Sequence, residues 1–362
     1  MTTESPDTAS LYGAARARGL LVIGLLVLLL LLAGLVGLAS GSARVSIPQV
    51  IGALGHGILP GLVTEPQVPL AQTVVVDVRL PRVLLAALTG FALACAGAVM
   101  QGLLRNPLVS PFTLGLSSAA SFGAAVAIVL LPATLAVPFL GGNTVIALAA
   151  FLAGWLSMLL VIGIARHATT GEATLILVGV IIAYLFQAGV LLLKYLTDND
   201  RLRDIVIWLM GGMWGANLGA VAIILPVTAV CFLFLLARAW DLNTLSAGDD
   251  VARAMGIDVD RFRTTGLLLS TLMASCCLAF TGVIGFIGLM APHICRILVG
   301  GDHRYLIPAA SLLGAVILLV SDTLARTVMS PVEIPVGVLM YIIGGVFFIF
   351  LILQGGSRHL ST

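Results

Sequence analysis

A polar island interrupts this chain between Asp241 and Arg263, with eight charged residues in 23 and long apolar runs on both sides. The whole protein has 34 charged residues among 362, 18 basic and 16 acidic, whereas soluble chains are about one quarter charged. A chain this apolar exposes a hydrophilic module chiefly to meet something in water. The stretch is long enough for two short helices, and it reads as a docking surface for a soluble partner.

The flanking runs set the fold. Sixty per cent of residues are hydrophobic and the mean hydropathy is +1.16, which excludes an ordinary soluble domain. Apolar runs able to cross a hydrocarbon layer of about 30 Å recur along the sequence. Backbone groups cannot stay unpaired in lipid, so the spans should be helices, and the alternation of barrel strands is absent. The expected fold is an all-α, polytopic membrane bundle of about ten helices per subunit. The spans read as 19–39, 83–104, 114–131, 143–165, 174–196, 218–238, 264–284, 285–298, 306–326 and 336–354. Tails at 1–18 and 357–362 flank a membrane domain at 19–356. The first span carries small residues after it, but its apolar core of about twenty residues exceeds a secretory signal, so an uncleaved helix is expected. The eighth is too short to cross straight and should continue through the Gly282–Gly288 break as a bent or partial helix.

Charge gives the orientation. With the N-terminus inside, eleven basic residues face the cytoplasm against seven outside, which follows the positive-inside trend and makes both termini and the island cytoplasmic. Outside, Asp198 to Trp214 should form a short helix near the membrane surface, with Ile205, Trp208 and Leu209 on one face. An internal echo relates Leu93, Ala94, Gly97, Leu104 and Pro107 to Leu278, Ala279, Gly282, Leu289 and Pro292 at an offset of 185. Five spans separate the copies, so an inverted repeat is expected.

Chemistry-bearing motifs are few. The only lysine, Lys194, lies in no phosphate-cradling loop, so any ATP hydrolysis belongs to another chain. No metal or cofactor pattern is present, nothing points to nucleic acid, and the five cysteines read as buried structural thiols. Within the island, Ser246 followed by Asp249 resembles a capping box, Asp249 and Arg253 can pair four apart, and Gly256 suits a left-handed helix end. Leu245, Val251, Ala252 and Met255 should give this helix an apolar stripe. Outside, Arg79-Leu80-Pro81-Arg82 precedes the second span, and Arg326 with Glu333 forms a second charged site. An acidic protein landing there would explain these outward arginines; snorkelling at the headgroups is the plainer reading. His293, near a helix break, reads as a hydrogen-bonded helix terminator.

These pieces together resemble the FecCD family of ABC-type permeases. The resemblance rests on Arg79-Leu80-Pro81-Arg82, on Gly97 to Gln101 running into Arg105-Asn106-Pro107-Leu108, and on Gly248 to Gly256. It continues with Gly285 to Leu289, Pro292-His293 and Arg296, Asp302-His303-Arg304, Ser321-Asp322 with Ala325-Arg326, and Glu333 to Gly337. Three departures are Ser110, Met255 and Val346, where an acidic residue, a leucine and a proline are usual. The resemblance implies the membrane subunit of a binding-protein-dependent importer of a ferric siderophore, haem or corrinoid. It implies a homodimer in the cell membrane among its lipids, with two copies of a cytoplasmic ATP-binding subunit on the 241–263 loop. Ser246, Asp249, Asp250, Arg253, Met255 and Gly256 would then couple to that subunit. A periplasmic or extracellular substrate-binding protein would meet Arg79, Arg82, Arg326 and Glu333. Tyr184 and Gln187, in the fifth span, would line the path. An ion-coupled secondary transporter is the alternative, and would need an ionisable residue near mid-membrane, with Asp77 and Asp322 as candidates.

Overall fold

The computed structural model describes residues 8–41, 45–58, 72–130, 144–167 and 172–353. The helices are α1 (Thr8–Ala39), α2 (Ile47–Ile58), α3 (Leu80–Leu103), α4 (Leu116–Leu130), α5 (Thr144–His167), α6 (Glu172–Leu196) and α7 (Asn199–Met210). They continue as α8 (Leu218–Ala237), α9 (Ala239–Ser246), α10 (Asp249–Ala254), α11 (Val259–Thr281), α12 (Ile287–Val299), α13 (His303–Thr327) and α14 (Val336–Leu353). Among the described residues, eight helical segments are long and apolar enough to cross a membrane, and α4 and α12 are shorter apolar helices. The ten expected spans are therefore the eight long segments plus these two.

The second span begins earlier than its apolar run suggests. A π-helical turn over Thr73–Arg79 runs directly into α3, giving one 31-residue segment from Thr73 to Leu103. Arg79 and Arg82 thus lie within a helix rather than ahead of one. Pro81 sits at the junction of the turn and α3, where it cannot donate the N–H that a continuous ladder would use.

α3 is the axis of the subunit, packed by α13, α11, α12 and α8. Its small residues allow this. A Cβ added at Gly90 would lie 2.2 Å from the Gly314 carbonyl oxygen of α13, and one at Gly97 would lie 1.9 Å from the Gly288 oxygen of α12. Close backbone approach of this kind is how helices associate where no water drives them together. Gln101 donates to the same Gly288 oxygen at 3.2 Å, and Arg296 donates to Gln101 Oε1 at 3.1 Å.

The break after α11 is complete. Gly282 and Phe286 both have positive φ, and the chain unwinds over 282–286 before starting the 13-residue α12. Of the expected bent or partial helix, the partial form is found, preceded by an unwound segment that separates it from α11. The unwound backbone is buried and bonded, with Gly282 N–H donating to Leu278 O at 2.9 Å, Gly282 O accepting from the Thr281 hydroxyl at 3.2 Å and Phe286 O accepting from Met290 N–H at 2.8 Å. Irregular backbone at depth is tolerated only when protein satisfies it in this way. The sequence echo does not extend to local conformation, since α3 runs unbroken through Gly97 whereas α11 ends at Gly282. His293 lies inside α12 rather than at its end, packed against Phe347 and Phe348 of α14. The short helix expected after Asp198 is present as α7, capped by Asp198, which accepts from the Arg201 N–H. Ile205 is its buried anchor.

Candidate functional sites on the two faces

The island folds as two short helices, α9 and α10, hinged at Ala247-Gly248. Ser246 is not a cap: it ends α9, and its hydroxyl donates back to the Leu242 carbonyl at 2.9 Å. Gly248, with φ +126, occupies the entry to α10 instead. A serine so close to the end of one helix is equally able to bond backward, and here the preceding apolar residues extend α9. Gly256 does end α10 with φ +84, and Ile257 N–H closes the turn onto Ala252 O at 3.0 Å, a Schellman arrangement.

The apolar stripe splits between two faces. Leu245 and Ala252 are buried, with Leu242, against the bundle, whereas Val251 and Met255 are exposed, Met255 by 72 %. Asp250 and Arg253 project beside them, 3.4 Å apart. One face of α10 is therefore an open surface of two apolar side chains and two charges.

Asp249 points the other way. It is 3.9 Å from Arg253, the partner expected from spacing. Its close partner is Arg263 of α11, whose Nη2 donates to both carboxylate oxygens at 3.0 and 3.2 Å. Arg105, in the turn after α3, lies 3.3 Å away. Both arginines also bind Glu172 at the start of α6. The hydrogen bond to Glu172, against some burial, holds the Arg105 guanidinium above its ordinary pKa. Glu172 carried no motif signal, and no sequence spacing connects it to the island.

A second joint ties α9 to the start of α13. Asn243 accepts from the His303 N–H at 2.8 Å and donates to Asp302 at 2.8 Å, while the Arg304 guanidinium stacks 4.3 Å over Trp240. Burial pushes the Asp302 carboxyl up, but hydrogen bonds from Arg304 and Asn243 outweigh it and hold the group below its ordinary value.

On the opposite face, the two expected charged sites are one cluster. Arg82 grips Asp322 with Nε and Nη2 at 3.0 and 2.9 Å and reaches Glu333 with Nη1 at 2.8 Å. Arg326 lies 3.6 Å from Asp322, one turn along α13. Arg79 and Arg326 are only 5 % and 7 % exposed, so neither stands out toward a partner. Arg79 donates to Leu38 O and Ala39 O at 2.8 and 3.0 Å, and Arg326 to Ser40 O at 2.9 Å and to Gly37 O. Four successive carbonyls at the end of α1 are thereby satisfied by side chains from α13 and from the π-helical turn. A helix end leaves those groups without intrahelical partners, and α1 has no basic residue in its own last turn. Arg82 and Glu333 form the part of the cluster that reaches the surface, Glu333 with 38 % of its side chain exposed. Tyr184 and Gln187 are both exposed on α6, Tyr184 by 71 %. Asp77 is exposed in the π-helical turn, near the start of the Thr73–Leu103 segment and away from any mid-span position.

The comparisons with known proteins agree with this architecture. The model of the FecCD transport family matches residues 27–354. The chain is 42% identical over 285 residues to the hemin transport system permease of Yersinia pestis, covering 77% of this chain and 82% of that one. It is 34% identical over 346 residues to the molybdate import system permease of Haemophilus influenzae, covering 92% and 96%. A solved inward-facing structure of a metal-chelate type ABC transporter superposes with a TM-score of 0.78 at 32% identity, over 92% of this chain and 99% of that one.

Proposed function

The chain belongs to the FecCD transport family as the permease subunit of an ABC importer, and we propose that two copies of it form the path for a metal chelate. The cargo class is a ferric siderophore, haem or corrinoid. ATP hydrolysis resides on a separate cytoplasmic subunit, two copies per transporter, seated on the open face of α10. That face carries the reading: Val251 and Met255 are exposed beside Asp250 and Arg253, on a helix the bundle anchors from its other side through Ala252 and Asp249. Orientation with both termini cytoplasmic puts this face where nucleotide is available.

Outside, a substrate-binding protein delivers cargo over the Arg82–Glu333 pair, with a carboxylate of that protein competing with Glu333 for Arg82. Arg79 and Arg326 support this surface by holding the end of α1 and the buried Asp322 beneath it. Exposed ion pairs are individually worth about 1 kcal/mol or less, so they contribute register and steering more than affinity. Tyr184 and Gln187, polar and exposed on an apolar helix, line the path between the two copies.

An ion-coupled carrier needs a carboxylate able to exchange its cation, and Asp322 is instead fully buried and held by two arginines. The deciding experiment is reconstitution of the purified permease in liposomes with and without its ATPase and binding protein. Uphill uptake of haemin, ferric citrate or cyanocobalamin should require both partners. Accumulation by the permease alone would reject the reading.

A further inference from the structure

A stroke delivered to α10 has to reach α6, which carries Tyr184 and Gln187, and helix packing offers no direct route. α6 packs on α4 and α5, whereas α10 packs on α9 and α11. Four side chains bridge the gap. Glu172 opens α6, and its Oε1 accepts from Arg105 Nε at 3.1 Å and from Arg263 Nη2 at 3.0 Å. The same Arg263 nitrogen holds Asp249 of α10, and Arg263 Nε donates to the last carbonyl of α3, that of Leu103, at 3.2 Å. Resting on the importer reading above, we propose that Glu172, Arg105, Arg263 and Asp249 act as a transmission clasp that converts displacement of the docking helix into displacement of α6.

Three features fit a moving joint better than a staple. The four side chains are between 11 % and 35 % exposed, so water can follow them and partners can be exchanged without stranding a dry charge. The cluster is neutral as a whole, two arginines against two carboxylates. When Asp249 shifts with α10, both arginines keep Glu172, and whatever they do is passed to the first turn of α6. Arg105 also sits at φ +44, a left-handed conformation that strains a non-glycine residue. Strained residues persist where surrounding contacts fix them, and they gather at switch regions. The carboxylate lies at the amino end of α6, where the helix dipole favours it. Glu172 is thus a positioning residue, acting on the path through the helix it begins.

The test uses the complete transporter with its ATPase bound, in liposomes. All five native cysteines are buried, so Leu191→Cys on the exposed face of α6 serves as a reporter for a membrane-impermeant maleimide. With Glu172 intact, ATP–vanadate trapping should change the labelling rate by about fivefold or more. Glu172→Gln should keep ATPase association and hydrolysis but abolish that change. A Gln variant that retains the full change overturns the proposal. So does one that releases the ATPase, since Glu172 would then only support docking, and so does an unmodified complex whose labelling ignores nucleotide. Should the Gln variant fail to assemble, Glu172→Asp keeps the charge with a shorter reach. A reduced change there supports the clasp, and an undiminished one overturns it. An ATPase that never binds the unmodified permease would instead reject the importer reading, before any variant is compared.

Discussion

The two charge clusters of this protein have nearly the same composition and opposite character. On one face, Arg82 and Arg326 close around Asp322, which is fully buried, and Arg79 and Arg326 cap the end of α1. Every partner there lies within or against a long helix. On the other face, Arg105 and Arg263 share Asp249 and Glu172, all partly wet, on a turn, on the first residues of α6 and α10, and near the start of α11. Depth separates them. A dry ion pair is expensive to break because one charge is left uncompensated, so the Asp322 cluster behaves as a staple. A half-wet pair exchanges partners at low cost, so the Asp249 cluster can move.

The sharpest way to break this contrast is Asp322→Asn. It leaves the buried Arg326 guanidinium without a carboxylate, while Arg82 keeps Glu333, and should destabilise the detergent-solubilised protein by about 3–5 kcal/mol, read as a lowered thermal unfolding midpoint. Asp249→Asn should cost about 1 kcal/mol or less by the same measurement. Equal losses would remove the distinction between staple and joint. Next in size, Val251→Asp with Met255→Asp should release the ATPase in a pull-down while leaving the unfolding midpoint unchanged. Glu333→Gln leaves the Arg82–Asp322 pair in place and should tighten capture of the binding protein with ATPase binding intact, because it removes the competitor for Arg82; unchanged capture would remove the outer surface from Arg82. Smallest is the pH effect at Asp302. Its carboxyl is held below its ordinary value of 3.8, so its contribution is present above about pH 4 and is lost as the pH falls through the lower folded value. Asp302→Asn should lower stability above about pH 4 and flatten the acid-side fall, leaving stability below the folded value unchanged.

Much of this was legible in the residues. Runs of apolar side chains announced helices because lipid permits little else, and Gly256 announced a helix end because its φ must be positive. The misreadings have local causes. Ser246 looked like a cap because spacing cannot tell whether a serine bonds forward or backward. The second span was started at its apolar run, although Thr73–Arg79, polar residues included, is already helical. The glycines at 282–288 marked a break, but the π-helical turn and the capping of α1 by Arg79 and Arg326 left no sequence pattern at all.

What the amino-acid order fixed by itself was solvent: which stretches must lie in hydrocarbon, and that one polar module must stand in water. That follows from transfer free energies, which belong to each residue regardless of its neighbours. Only the tertiary structure decided the pairing of charges. Arg82 finds Asp322 across 240 positions and Arg263 finds Glu172 across 91, because a charge near lipid must be paired but nothing in its own sequence neighbourhood says with whom.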